Sequence, residues 1–178
     1  GSGPTVADPT TFAQARAIEA VRRGDVDGAL RGVERALAFN GGDYHIAHLA
    51  AQMRVEQVRG IIARAAQGQN VQQEFQAAVS AAIRSADQAI RLNPEESLVR
   101  RTAASLYEVL IPFIDGSERF ADANYAKAAE LDPVHPMFLT ERARARIAFA
   151  DRVRQKSAGA SEEQRKEAER IWESALQS

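Results

Sequence analysis

Apolar residues recur three and four positions apart along almost the whole chain, interrupted by short stretches rich in glycine, proline, asparagine or aspartate. That period marks amphipathic helices, and the interruptions mark their ends. Eight helices are predicted. The first runs from about Pro9 to Arg23 with Asp8 as cap, and Gly24-Asp25 turns it into a second over Val26 to Phe39. Asn40-Gly41-Gly42 breaks the chain, and Asp43 caps a long third helix to about Ala66. Gln67 to Asn70 separates that helix from a fourth, about Val71 to Leu92. Asn93-Pro94-Glu95-Glu96 supplies a cap, a first-turn proline and two acids for helix five. Pro112 kinks or ends helix five, and Ser117-Glu118 starts helix six. Helix six finishes in "YAKAAELDPVHP", Tyr125 to Pro136. Pro136 starts helix seven, to about Lys156, and Ser161 with Gln164 forms a capping box for helix eight. No segment alternates convincingly enough to be a strand, so the fold class is all-α.

The even-numbered helices share one spacing of small residues. Ala29, Val33 and Ala36 recur as Ala82, Ala86 and Ala89, as Ala121, Tyr125 and Ala128, and as Ala168, Trp172 and Ala175. Three of these helices continue into an apolar residue and a breaker: Phe39 then Gly41, Leu92 then Pro94, Leu131 then Pro133. The fourth is expected to reach its breaker just beyond Ser178, as if the chain were cut at a unit boundary. Small residues on one stripe let a second helix approach, and the larger residue between them fills the gap toward the next pair. A helix pair alone cannot bury both faces, whereas pairs stacked in succession can.

In this respect the sequence resembles the tetratricopeptide repeat (TPR) family, whose signature is W-x2-L-G-x2-Y on the first helix and A-x3-F with a later proline on the second. The unit from about Ser97 to His135 matches best, with Arg100, Ala103, Ala104 and Tyr107 at the first-helix positions and Ala121, Tyr125, Ala128 and Pro133 after them. The family's tryptophan and leucine are replaced. The resemblance covers about Thr10 to Gln177 and implies a right-handed solenoid of about eight antiparallel helices. It divides into units of about 10–43, 44–96, 97–135 and 136–178, all in one domain over 9–178. Residues 1–8 read as a flexible segment opened by a cloning scar, Gly1-Ser2-Gly3. Ala29, Ala82, Ala121 and Ala168 lie 53, 39 and 47 residues apart, against a family unit of about 34. The excess falls between the two helices of a pair and lengthens helices three, four and seven.

The resemblance also implies a function. First helices of the family line a concave groove that binds peptides or partner helices. The matching positions here include Gln14, Ile18, Val21 and Arg22; His45, His48, Leu49, Gln52 and Glu56; Leu98, Arg101, Thr102, Ser105 and Glu108; and Thr140, Glu141, Arg144 and Ile147. The family's clamp for a C-terminal carboxylate is not predicted, because no lysine stands at these positions. A second candidate surface is the end of helix eight, Ile171, Trp172 and Leu176, through which copies would stack.

Composition narrows the partners. With 23 basic and 24 acidic residues the formal charge is -1, so no bulk field draws the chain onto nucleic acid or an anionic membrane. No run approaches the roughly 20 apolar residues of a membrane span, and the absence of cysteine excludes disulfides and thiol chemistry. The chain reads as a piece of a larger protein, one that a membrane region could anchor, in a compartment the residues leave open. No glycine-rich phosphate loop, H-E-x-x-H or nucleophile turn is present, so catalysis and cofactors are not expected. His45 and His48, at i and i+3, could chelate a metal only with a third ligand, and none is evident. They read instead as partner contacts, and if they do touch a partner, its binding is expected to change near the unperturbed histidine value of ~6.5. Helix seven carries Arg142, Arg144, Arg146, Arg152, Arg154 and Lys156 against Glu141 and Asp151. This is expected to be a solvated face, and its arginines lack the interleaved aromatics that single-stranded RNA binding uses.

Overall fold

The computed structural model describes residues 9–158 and 162–177. All of the regular structure among them is α-helix: α1 (Pro9–Arg22), α2 (Val26–Phe39), α3 (Tyr44–Ala66), α4 (Gln72–Leu92), α5 (Ser97–Leu110), α6 (Ser117–Leu131), α7 (Phe138–Ser157) and α8 (Glu162–Leu176). The chain divides into two compact halves, Gly1–Pro94 and Glu95–Ser178.

In the first half α1 pairs with α2 and α3 with α4, while α3 also packs on α2 and touches α1. Two glycines make these hairpins possible. Gly24 and Gly68 take φ of 75° and 87°, conformations that cost a residue with a Cβ. Each follows a helix end where the next residue's N–H reaches back to the last turn, Asp25 to the Ala20 carbonyl at 2.8 Å and Gln69 to that of Arg64 at 3.2 Å. Asp25 and Asp43 then cap the following helices, accepting from the N–H of Gly28 at 2.8 Å and of His45 at 2.9 Å. The core between α1, α2 and α3 is Ala17, Ala20, Ala29, Val33, Ile46, Leu49 and Ala50. Alanine on α1 and α2 keeps the axes close, and the α3 side chains fill the remaining space.

The second half repeats the plan, with α5 on α6, α6 on α7, α7 on α8, and α5 touching α7. Its core joins Ala104 and Ile111 to Ala121, Tyr125 and Ala145. The expected triplets are buried on α4 and α6: Ala82, Ala86 and Ala89, then Ala121, Tyr125 and Ala128. On α2, Ala29 and Val33 are buried. On α8, Ala175 is buried and Trp172 half-buried. The extra length falls where expected, α3, α4 and α7 having 23, 21 and 20 residues. These helical hairpins, each packed on the next within its half, fit a TPR-like fold.

Two helix starts differ from expectation. Asn93 belongs to the end of α4, its N–H bonded to the Ala89 carbonyl at 3.1 Å, so it does not cap α5. The cap is Glu96, whose carboxylate accepts from the Leu98 N–H at 3.3 Å, and Pro94 lies in the turn before it. Likewise Pro136 lies outside α7, which opens at Phe138. Its N-cap residue is Met137, and no side chain caps the first turn; ahead of the helix, His135 Nδ1 accepts from the Met137 N–H at 3.2 Å, and the ring stacks on Phe138 with centroids 3.9 Å apart. Pro112 acts as expected. Helix α5 ends at Leu110, and the N–H groups of Phe113 and Ile114 both turn back to its carbonyl at 2.9 Å. The expected caps at Asp8 and Ser161 lie outside the described residues.

Candidate protein-binding site

In the second half, helical spacing puts Arg101, Thr102, Ser105 and Glu108 along one side of α5. From α7 come Glu141 and Arg144, one turn apart. The structure brings these together as two forked ion pairs. Arg101 Nε donates to Glu141 Oε2 at 3.0 Å, and the second guanidinium nitrogen reaches Oε1. Arg144 Nε donates to Glu108 Oε2 at 2.8 Å, with its Nη2 on Oε1 at 3.1 Å. Fork-to-fork geometry is the strongest form of this contact and fixes both side chains. Glu141 is only 4% exposed, so its role at this surface is to hold Arg101, which stays half-exposed beside it. The Tyr125 hydroxyl of α6 donates to Glu108 Oε1 at 2.9 Å, linking the second helix to the same network. Burial, and then the Glu108 carboxylate, push this hydroxyl well above the usual tyrosine range. The Thr102 hydroxyl donates back to the Leu98 carbonyl at 3.1 Å.

The rest of α7 departs from the expected solvated face. Arg142 and Arg146 converge on Asp122 of α6 at 2.7 and 2.9 Å, while Arg152 and Lys156 converge on Asp115 of the α5–α6 turn at 2.7 and 2.8 Å. Arg152 also donates to the Ile111 carbonyl. Arg154 lies over the Trp172 ring, 4.8 Å from its centroid. Most of the excess positive charge of this helix is therefore met within the chain. Ile171 and Trp172 are half-buried and Leu176 is exposed.

Asp122 makes one consequence measurable. Hydrogen bonding from Arg142, opposed in part by burial and aided by Arg146, holds its carboxyl below the usual range. A depressed folded pKa contributes stability that is present above the unfolded value of ~3.9 and is lost as pH falls through the folded value. Asp122→Asn is expected to flatten the loss of stability below about pH 4, read as denaturation midpoints across pH; an unchanged acid limb counts against it.

In the first half His45 is exposed, with its ring 3.9 Å from that of Tyr44, and His48 is half-buried one turn on. Gln52 is exposed on the same helix. Among the described residues no group of three histidines or carboxylates is placed to hold a metal. Sequence spacing had no means of finding the ties across helices, Arg54 with Glu34 and Gln57 with Asp27, because their partners lie 20 and 30 residues away.

No protein-family model matches the chain. No curated protein matches it. Among solved structures it is similar to a thermophilic TPR protein of Thermus thermophilus, at 16% identity over 95% of this chain and 100% of that one, with a TM-score of 0.39. At that identity and score, the site has to be read from the chain's own side chains.

Proposed function

We propose that the chain is a non-catalytic protein-interaction module in which each half binds a peptide or partner helix on the exposed sides of its own first helices. In the first half the contacts come from His45, His48 and Gln52; in the second they come from Arg101, Thr102, Ser105, Glu108 and Arg144. What supports this is the pair of forked bridges between α5 and α7, with the side chains of Arg101 and Arg144 still 40% and 58% exposed. They give a surface whose charged groups are fixed before a partner arrives, which lowers the ordering cost of binding. Assembly through α8 has less support, since Arg154 already covers part of Trp172.

Peptides selected from a display library against the whole chain test the reading. Thr102→Trp, which adds bulk between Arg101 and Ser105, is expected to weaken them at least tenfold, and Glu163→Ala on the exposed side of α8 to leave them unchanged. If no selected peptide responds to Thr102→Trp, the proposed surface is wrong.

A further inference from the structure

Among the described residues nothing covers a different face of α1 and α2. Between these helices runs a groove of about 950 Å³. Its floor is small and apolar, with Ala17, Ala20 and Ala29 at 2%, 6% and 2% exposure. Two aromatic rings stand in its lining, Phe12 at 57% exposure and Phe39 at 97%. Apolar surface of this extent, edged by polar side chains, marks a contact site on a folded chain.

Gly32 sharpens the picture. It lies inside α2 and lines the groove, and a Cβ built there meets no atom within 4 Å. Glycine in a helix interior costs up to about 1 kcal/mol relative to alanine, and no contact among the described residues accounts for it. Gly28, one turn earlier, is different, because a Cβ there would strike the capping carboxylate of Asp25 at 2.0 Å. At Gly32 the missing side chain simply leaves the groove deeper.

The charges around this floor select the occupant. Arg16, Arg23 and Arg35 line the groove against Asp25 alone, and the Asp25 carboxylate is engaged with the Gly28 N–H. Arg16 rests over the Phe12 ring at 5.4 Å, Arg23 makes one exposed 4.0 Å pair with Glu19, and Arg35 has no carboxylate partner among the described residues. A second copy presenting the same face would set these arginines against each other. Helix α8 of a second copy is acidic, but Ile171 and Trp172 are half-buried and Ala175 buried, so Leu176 is its one exposed large apolar side chain among those described. We infer that the groove takes an amphipathic helix of another protein. That helix lays its apolar face over Ala17, Ala29 and Gly32, with aspartates or glutamates on its flanks meeting Arg16, Arg23 and Arg35. This face is separate from the first-helix side that carries Ile18 and Val21, and the inference stands independently of the binding surface proposed above.

The test uses the whole chain and two fluorescein-labelled synthetic helical peptides with the same leucine face, one flanked by glutamates and one by lysines. Fluorescence anisotropy is expected to show saturable binding of the glutamate peptide and at least tenfold weaker binding of the lysine peptide. Gly32→Leu fills the groove while favouring the helix, so it should keep or raise the melting temperature and weaken the glutamate peptide at least tenfold. The pair Arg16→Glu and Arg35→Glu should reverse the preference. Equal binding of both peptides, or full affinity in folded Gly32→Leu, overturns the inference. So does sedimentation showing a concentration-dependent oligomer that Gly32→Leu converts to monomer, since the groove would then belong to a second copy.

Discussion

Tyr125→Ala is expected to lower the stability of the chain by about 3–5 kcal/mol, as for other large aromatic truncations in a packed core. Tyr125 is fully buried between Ala121 and Ala128 on α6, and the residues around it, Ala104, Ile111 and Ala145, come from α5, its C-cap and α7. Three neighbouring segments therefore lose contact with the ring at once, and alanines already at closest approach cannot move in to fill the space. Tyr125→Phe separates the ring from the hydroxyl. It keeps the packing and removes the hydroxyl's bond to Glu108, which Arg144 still satisfies, and the 3.5 Å bond that Arg144 donates to the hydroxyl, for a loss of about 0.5–1.5 kcal/mol. The two variants also differ from the parent in alkali. A hydroxyl pKa raised by folding stabilises the native state fully below the unfolded value of ~10 and ceases to do so as pH rises through the folded value. The parent should lose stability above about pH 10 more steeply than Tyr125→Phe. Urea midpoints of the three proteins at neutral and high pH decide the matter; a loss below about 1 kcal/mol for Tyr125→Ala would mean the slot is not closely packed.

Arg101→Met is the second large effect. It leaves the buried Glu141 carboxylate without its guanidinium, and an unpaired buried charge costs far more than the pair contributed. Because Arg101 is itself partly exposed and water can reach the vacated side, the expected loss is about 1–3 kcal/mol rather than the full value for a sealed interior. Glu141→Leu made together with Arg101→Met removes the charge as well as its partner and should recover most of that loss. A double-mutant cycle by chemical denaturation reads the coupling directly. Strictly additive losses would show that the two side chains do not depend on each other.

The sequence carried the helices and their buried stripes because both follow from local spacing. Ala82, Ala86 and Ala89 fall on one side of α4 by helical geometry alone, and the caps at Asp25 and Asp43 need only the next two or three residues. Asn93-Pro94 and Pro136 misled because the same residue types punctuate both ends of a helix. The actual N-cap residues, Glu96 and Met137, lie outside the usual capping set of serine, threonine, asparagine and aspartate. The candidate site was legible as a set of positions but not as a set of pairs. Arg101 and Glu141 stand 40 residues apart, and Arg144 and Glu108 stand 36 apart. Nothing in the charge pattern of α7 says which carboxylate each arginine meets. The groove between α1 and α2 was hidden for a related reason, since an alanine stripe reads the same whether covered or bare.

The order of the helices in space has a kinetic consequence. Within each half, every helix packs on its neighbour in sequence, and the most distant helix partners are α1 with α3 and α5 with α7. Among the described residues no contact between helices waits on the closure of a very long loop, so the entropic barrier to assembly is low and the search is local. Such a chain can begin folding at any hairpin and extend from it. A defect in one pair, such as a lost turn at Gly68, delays its own hairpin while the others form.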